Sequence, residues 1–219
     1  MMRRPLRNAL RGLLSLLWLV STAVAAQTSD HDQAVQSLSR PEAEARREAA
    51  HRLGEVGTMA DVQPLVRTLR DPDEETRDEA QQALWQIWSR SGDAEVDRLY
   101  EAGVAQMSAG ELEEAIATFT RIIELKPDFA EGWNKRATLY FLTGEFRKSL
   151  ADCDEVMKRN PYHFGALAGY AQIYIRLEQF ERALDYAHRA LAINPNLEGM
   201  RQTINAIEHL LEERRKRMI

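Results

Sequence analysis

Apolar and small residues recur along this chain at helical spacing, and one set of them returns at a fixed distance. Pro127, Pro161 and Pro195 stand 34 residues apart. Leu99, Trp133 and Leu167 keep the same pitch, as do Gly103, Ala137 and Ala171, Leu112, Phe146 and Phe180, and Ala115, Ser149 and Ala183. Gln106, Tyr140 and Tyr174 form a further set. A proline cannot continue a helix and pushes the residue before it out of helical conformation. A repeated stop at this pitch therefore predicts an array of helix–turn–helix units, spanning 94–127, 128–161 and 162–195. Small residues mark where two helices approach, and large ones fill the space beside them. Gly110 and Gly144 fit the left-handed turn that ends the first helix of a unit. The third unit has Glu178 there, so its turn is expected to differ.

Beyond Pro195, residues Leu197, Met200, Ile204, Ile207 and Leu211 make one apolar stripe, with Gln202, Asn205, Glu208 and Glu212 off it. This predicts an amphipathic helix over 196–219, closing the open end of the array. Upstream lies a second pitch. The stretches "SRPEAEARREAAHRLGEVG" and "RDPDEETRDEAQQALWQIW" align at an offset of 31, matching Pro41 with Pro72, Arg46 with Arg77, Ala49 with Ala80, Leu53 with Leu84 and Val56 with Ile87. Asp71-Pro72 reads as a helix start with Asp as the cap. Between the two stretches, Val62, Leu65, Val66 and Leu69 give a short helix one apolar side. Two such units bury little surface alone and are expected to pack on the downstream array, with Trp85 and Trp88 at the junction. Residues 89–95 are the only linker between them.

Trp133, Tyr140, Gly144, Phe146 and Pro161 of the middle unit resemble the tetratricopeptide repeat pattern. So do Gly103, Gly110, Ala115, Phe119 and Pro127 in the first unit, and Tyr174, Phe180, Ala183 and Pro195 in the third. Ser149, Cys153 and Ala187 depart from it. The pair at 31–90 is similar to short bacterial HEAT repeats, with a buried Arg and a Pro-initiated second helix. These resemblances imply an all-α, right-handed α-solenoid of HEAT-like and then tetratricopeptide units, with a C-terminal cap helix. The tetratricopeptide resemblance further implies a concave groove lined by the first helix of each unit, where peptides or helices bind. The groove positions are Tyr100, Val104 and Met107; Asn134, Lys135, Thr138 and Phe141; and Gln172 and Ile175, with Ala168 and Arg176 beside them. The family's clamp of Lys, Asn and Arg for a C-terminal carboxylate is matched here by Tyr100, Val104, Lys135, Gly165 and Gly169. Only Lys135 suits that role, which argues against chaperone tails as ligands and for a partner with aromatic or aliphatic anchors.

Composition enters through the N-terminus. "MMRRPLRNALRGLLSLLWLVSTAVAAQTSD" has a positive start (Arg3, Arg4, Arg7, Arg11), an apolar run from Leu13 to about Ala25 and small residues at Ala23, Ala25 and Ala26. This is the form of a secretory signal peptide, residues 1–26. The run is shorter than the roughly 20 residues a spanning helix needs, and an uncleaved inner-membrane anchor is the alternative. The expected location is periplasmic or secreted. The leader carries four arginines and no acid, so its removal takes the net charge from −5 to about −9. An acidic exported chain is a poor binder of nucleic acid or of an anionic membrane. The single cysteine, Cys153, cannot form an internal disulfide and falls at an inward position.

No catalytic or metal constellation emerges, and no cofactor is called for. His31, His51, His163, His188 and His209 are scattered without the spacing of a zinc protease, and His163 and His188 read as surface residues. Glu74-Glu75 and Glu113-Glu114 suit helix starts, and Arg214 to Arg217 suit a helix end. The expectation is a non-enzymatic scaffold that holds a protein partner. The rival readings are a lyase-like accessory protein that binds a small molecule or chromophore through the HEAT-like pair, and self-association into a homo-oligomer through the groove.

Overall fold

A computed structural model describes residues 30–217. The leader expected at 1–26 lies outside them. Every regular element among the described residues is helical. Helix α1 covers 30–37, α2 Ala43–Val56, and a 3-10 turn, Met59–Asp61, leads into the short α3, Val62–Thr68. Then follow α4 (Glu74–Trp88), α5 (Ala94–Ala109), α6 (Leu112–Leu125), α7 (Ala130–Leu142), α8 (Phe146–Arg159), α9 (Phe164–Arg176), α10 (Phe180–Ile193) and α11 (Glu198–Arg217).

The 34-residue pitch becomes three antiparallel pairs, α5/α6, α7/α8 and α9/α10, each packed on the next, with α11 against α10. The recurrent residues do what their chemistry suggests. Phe119, Ile122, Leu139, Leu167 and Ile173 are fully buried large residues, while Ala115, Ala137, Ala171 and Ala183 sit at close helix contacts. Ser149 fits an alanine position because its hydroxyl donates to the Ala137 carbonyl at 2.7 Å. Met200, Ile204 and Ile207 bury the stripe of α11.

The third turn does not differ from the other two. Gly110 and Gly144 have φ of 79°, and Glu178 takes the same left-handed conformation at φ 55°. The hydrogen bonds explain it. Gly144 N–H reaches the Phe141 carbonyl and Glu145 N–H that of Tyr140; Glu178 N–H and Gln179 N–H reach Ile175 and Tyr174 in the same way. The helix ending closes over Glu178 despite the cost of left-handed backbone to a residue with a Cβ.

Upstream, α2 and α3 both pack on α4 around Leu53, Leu65, Leu69 and Leu84. The arginines matched at the offset of 31 play one role. Arg46 donates to the Arg40 and Pro41 carbonyls, and Arg77 donates to those of Asp71 and Pro72, so each ties its helix to the turn before it. The cap of α4 is Asp73, accepting from Thr76 N–H, and not Asp71. Asp71 accepts instead from Arg46 at 2.7 and 2.8 Å and from Asp73 N–H.

These N-terminal helices lie along the edge where the repeat-to-repeat turns emerge. Asn196 donates to the Leu69 carbonyl and Asn194 to Gln81. Arg70 donates to the Ala192 and Ile193 carbonyls. Trp85 meets Phe164 edge-on at 5.3 Å, and Trp88 stacks on His163 at 4.5 Å. Ser89 bonds Tyr100 at 3.3 Å. Helix α4 thus runs from the end of the third unit back to the first.

A tight approach falls at Gly165, where a Cβ would lie 2.6 Å from Trp85 Cη2. Gly165→Ala should therefore destabilise the chain by about 1–3 kcal/mol through overpacking. In a Trp85→Ala background the same change should cost nearly nothing, since helical Ala is itself preferred over Gly by about 0.8–1 kcal/mol. Urea denaturation of the double-mutant cycle measures this coupling.

Candidate functional site

Among the first helices of the units, α7 and α9 are in direct contact, and Tyr100 of α5 reaches Glu131 of α7. The nine groove positions divide into two groups. Tyr100, Asn134 and Lys135 meet in a polar cluster at the edge covered by α4. Val104, Met107, Thr138, Phe141, Gln172 and Ile175 lie farther along the same helices.

The cluster is organised by Glu131, which has no exposed surface. Its carboxylate accepts from His163 Nε2 at 2.9 Å and from Asn134 Nδ2 at 3.2 Å, and pairs with Lys135 Nζ at 3.1 Å. Tyr100 points its hydroxyl at the same group, 3.5 Å away, with the Lys135 ammonium 5.9 Å from its ring centre. Burial by itself would raise the Glu131 carboxyl, but His163 and Lys135 outweigh it and hold it below its ordinary value. Burial likewise opposes the charge on Lys135, and Glu131 overrides that, holding its pKa up. Burial, followed by the Glu131 charge, pushes the Tyr100 hydroxyl up.

His163 is a correction to the sequence reading. It is wholly buried, not a surface residue. Its Nδ1 accepts the Ala166 N–H at 3.0 Å as the cap of α9. That bond leaves Nε2 to carry the proton and donate it toward Glu131. The repeat register carries the signal that could have located both residues. His163 falls where the second unit has Phe129 and the first has Glu95, and Glu131 where the third unit has Gly165 and the first has Asp97. A polar residue in the register of Phe129 and an acid in the register of Gly165, in adjacent units, are each other's partner.

The second group remains accessible. Thr138 and Gln172 are exposed, and Val104, Met107, Phe141 and Ile175 are half-buried. Phe141 lies 5.9 Å from Phe146, and the Arg176 guanidinium stands 6.0 Å from the Phe141 ring. Leu142, at 57% exposure, is the most exposed large apolar residue of this helix. Cys153 is buried, and burial pushes its thiol up to about 12, the mark of an inert thiol. Among the described residues no group of acids, His and Cys could hold a metal ion, and no helix is long and apolar enough to cross a membrane.

The sign of the pH dependence follows from Glu131. A carboxyl held below its unfolded value, near 4.5, contributes stability that is present above that pH and lost as pH falls through the lower folded value. Glu131→Gln should cost about 3–5 kcal/mol at pH 7, the usual loss on breaking a buried pair. The gap to wild type should narrow below pH 4.5. Urea denaturation at pH 7, 5, 4 and 3 gives the comparison.

Comparison with known proteins bears on the repeat and the fold. Models of the tetratricopeptide repeat match residues 100–163 and 164–197. A TPR repeat-containing protein of Rhizobium etli is 38% identical over 105 residues, covering 45% of this chain and 52% of its own length. The chain thus spans about half of that curated relative. Among solved structures, the first TPR domain of Spaghetti (RPAP3), bound to the HSP90 peptide SRMEEVD, superposes with a TM-score of 0.53 at 23% identity, over 55% of this chain and 96% of that one. The Sgt2 TPR domain from Aspergillus fumigatus gives 0.54 at 19%, over 57% and 83%. At these identities the likeness is one of fold. Family match and helix pairing agree that residues 100–197 of this chain are tetratricopeptide repeats.

Proposed function

We propose that the chain is a non-enzymatic scaffold, exported through its leader, that holds a protein segment in the open part of the repeat groove. The observation that carries this is the division of the groove. The Glu131 cluster uses Tyr100, Asn134 and Lys135 internally, and Trp85 covers Gly165, so three of the five positions matching the family's carboxylate clamp are occupied by the protein itself. What stays open is Met107, Thr138, Phe141, Gln172 and Ile175, with Arg176 beside them. Among the described residues Arg176 has no carboxylate partner. This surface suits a segment with an aromatic or aliphatic anchor over Phe141 and Ile175 and an acidic group near Arg176. The HSP90 peptide held by the Spaghetti domain is therefore a poor guide to the ligand. The HEAT-like reading of 31–90 rests on the offset of 31 and on the paired Arg46 and Arg77 turns. Its role here is to brace the array and not to carry chemistry.

Crosslinking from the envelope fraction of the native source tests the groove. The full chain should capture a partner that Phe141→Ala/Gln172→Ala/Ile175→Ala loses and a control on an exposed second-helix residue, Arg147→Ala, keeps. Capture unchanged in the triple variant would move the binding off the groove. Export is tested separately by expressing the full chain in a Gram-negative host. The expected product is periplasmic, with an intact mass lacking residues 1–25 or 1–26. An unprocessed chain in the membrane fraction would favour the anchor instead.

A further inference from the structure

Where the N-terminal helices meet the first two repeat turns they leave a cleft of about 260 Å³, lined by Met59, Trp88, Arg90, Lys126, Phe129 and Asn160 among others. Two buried donors belong to residues of this wall. Among the described residues Trp88 Nε1 and Asn160 Nδ2 have no hydrogen-bond partner, although Trp88 is 4% and Asn160 1% exposed. The orientation of the Asn160 amide is set, because its oxygen already accepts the Tyr162 N–H at 3.1 Å. A buried donor without an acceptor costs stability, and two in the wall of one cleft call for an acceptor from outside the chain.

The rest of the lining says what kind. Arg90 donates to the carbonyls of Gly54 and Gly57 and, among the described residues, forms no ion pair. Among the described residues Lys126 forms no ion pair. Arg159 is paired with Glu155, and Asp128 is the single acid of the wall. Helix α7 begins here at Ala130, its cap residue Phe129 supplies no side-chain acceptor, and the acid of its first turn, Glu131, is engaged inward by His163 and Lys135. Such a wall repels a metal cation and attracts an anion. Phe129 and the half-exposed Met59 add an apolar side that inorganic anions would leave unused. The volume is below the about 300–1,000 Å³ of drug-sized ligand pockets, which restricts the ligand to a small one.

We propose that this cleft binds a small organic carboxylate. The carboxylate accepts from Trp88 Nε1 and Asn160 Nδ2 beside the Lys126 and Arg90 charges, and its carbon part packs on Phe129 and Met59. The site is separate from the groove and does not depend on what the groove holds.

Phenylacetate is the probe, titrated into the full chain labelled with ¹⁵N-tryptophan, with 2-phenylethanol and inorganic phosphate as controls. The Trp88 indole resonance, assigned by its loss in Trp88→Phe, should shift saturably with phenylacetate and not with either control. Trp88→Phe keeps an aromatic ring beside His163 and removes the donor together with part of the indole's buried volume. It and Lys126→Ala should each weaken binding roughly tenfold, the scale of one charge-assisted hydrogen bond. Affinities for both variants come from calorimetry. If Trp88→Phe fails to fold, Lys126→Ala, at a helix end, carries the comparison alone. Three results overturn the proposal: no saturable shift, phosphate or 2-phenylethanol binding as well as phenylacetate, or an affinity unchanged in the variants.

Discussion

The architecture depends on one buried charge. Glu131 sits in the first turn of α7 with no contact with water, and removing a carboxylate from water costs several kcal/mol unless donors surround it. Here the donors come from different parts of the chain: Lys135 and Asn134 from the same helix, His163 from the following repeat turn, and Tyr100 from the preceding unit. Satisfying the charge therefore fixes the angle between successive units. It also fixes His163, since the ring that donates to Glu131 must at the same time cap α9. A ring locked at both nitrogens presents a rigid face, and Trp88 stacks on that face. The position of α4, and with it the N-terminal helices, follows from a polar contact one layer below.

The array was legible in the sequence because its causes are local and periodic. Proline stops, small residues at close contacts and the apolar stripe of α11 can all be read from single positions at a constant pitch. The arginines at the offset of 31 were legible for the same reason. The docking of the N-terminal helices was legible only in part. The tryptophans are conspicuous residues for a junction, but the surface they meet is assembled from turns 34 residues apart, and no single stretch contains it. Asp73 displaced Asp71 as a cap because Arg46, 25 residues earlier, claims the Asp71 carboxylate. Glu178 kept the glycine conformation because the hydrogen bonds of the helix ending outweigh the preference of one residue.

The groove shows the same limit from the functional side. The repeat register puts nine residues forward as groove positions, and three of them, Tyr100, Asn134 and Lys135, gather around Glu131. Register does not tell whether a residue facing a groove is free to bind, and Tyr100, Asn134 and Lys135 are consumed by a neighbour that lay in the same register unread. A lysine on a concave face resembles a ligand contact until the acid four residues before it, Glu131, is known to be buried.

This arrangement changes how the array should behave as a scaffold. Stacked repeats touch only their neighbours, so a bare solenoid can open unit by unit. Here α4 and the chain before it bond to the first unit through Ser89, to the second turn through Trp88, to the start of α9 through Trp85, and to the third turn through Gln81, Leu69 and Arg70. Contacts that bypass the nearest neighbour tie all the units to one element and make partial opening costly. The groove is then held at one curvature before any partner arrives. A preformed groove spends less of its binding free energy on ordering, and selectivity moves to the few side chains still exposed along it.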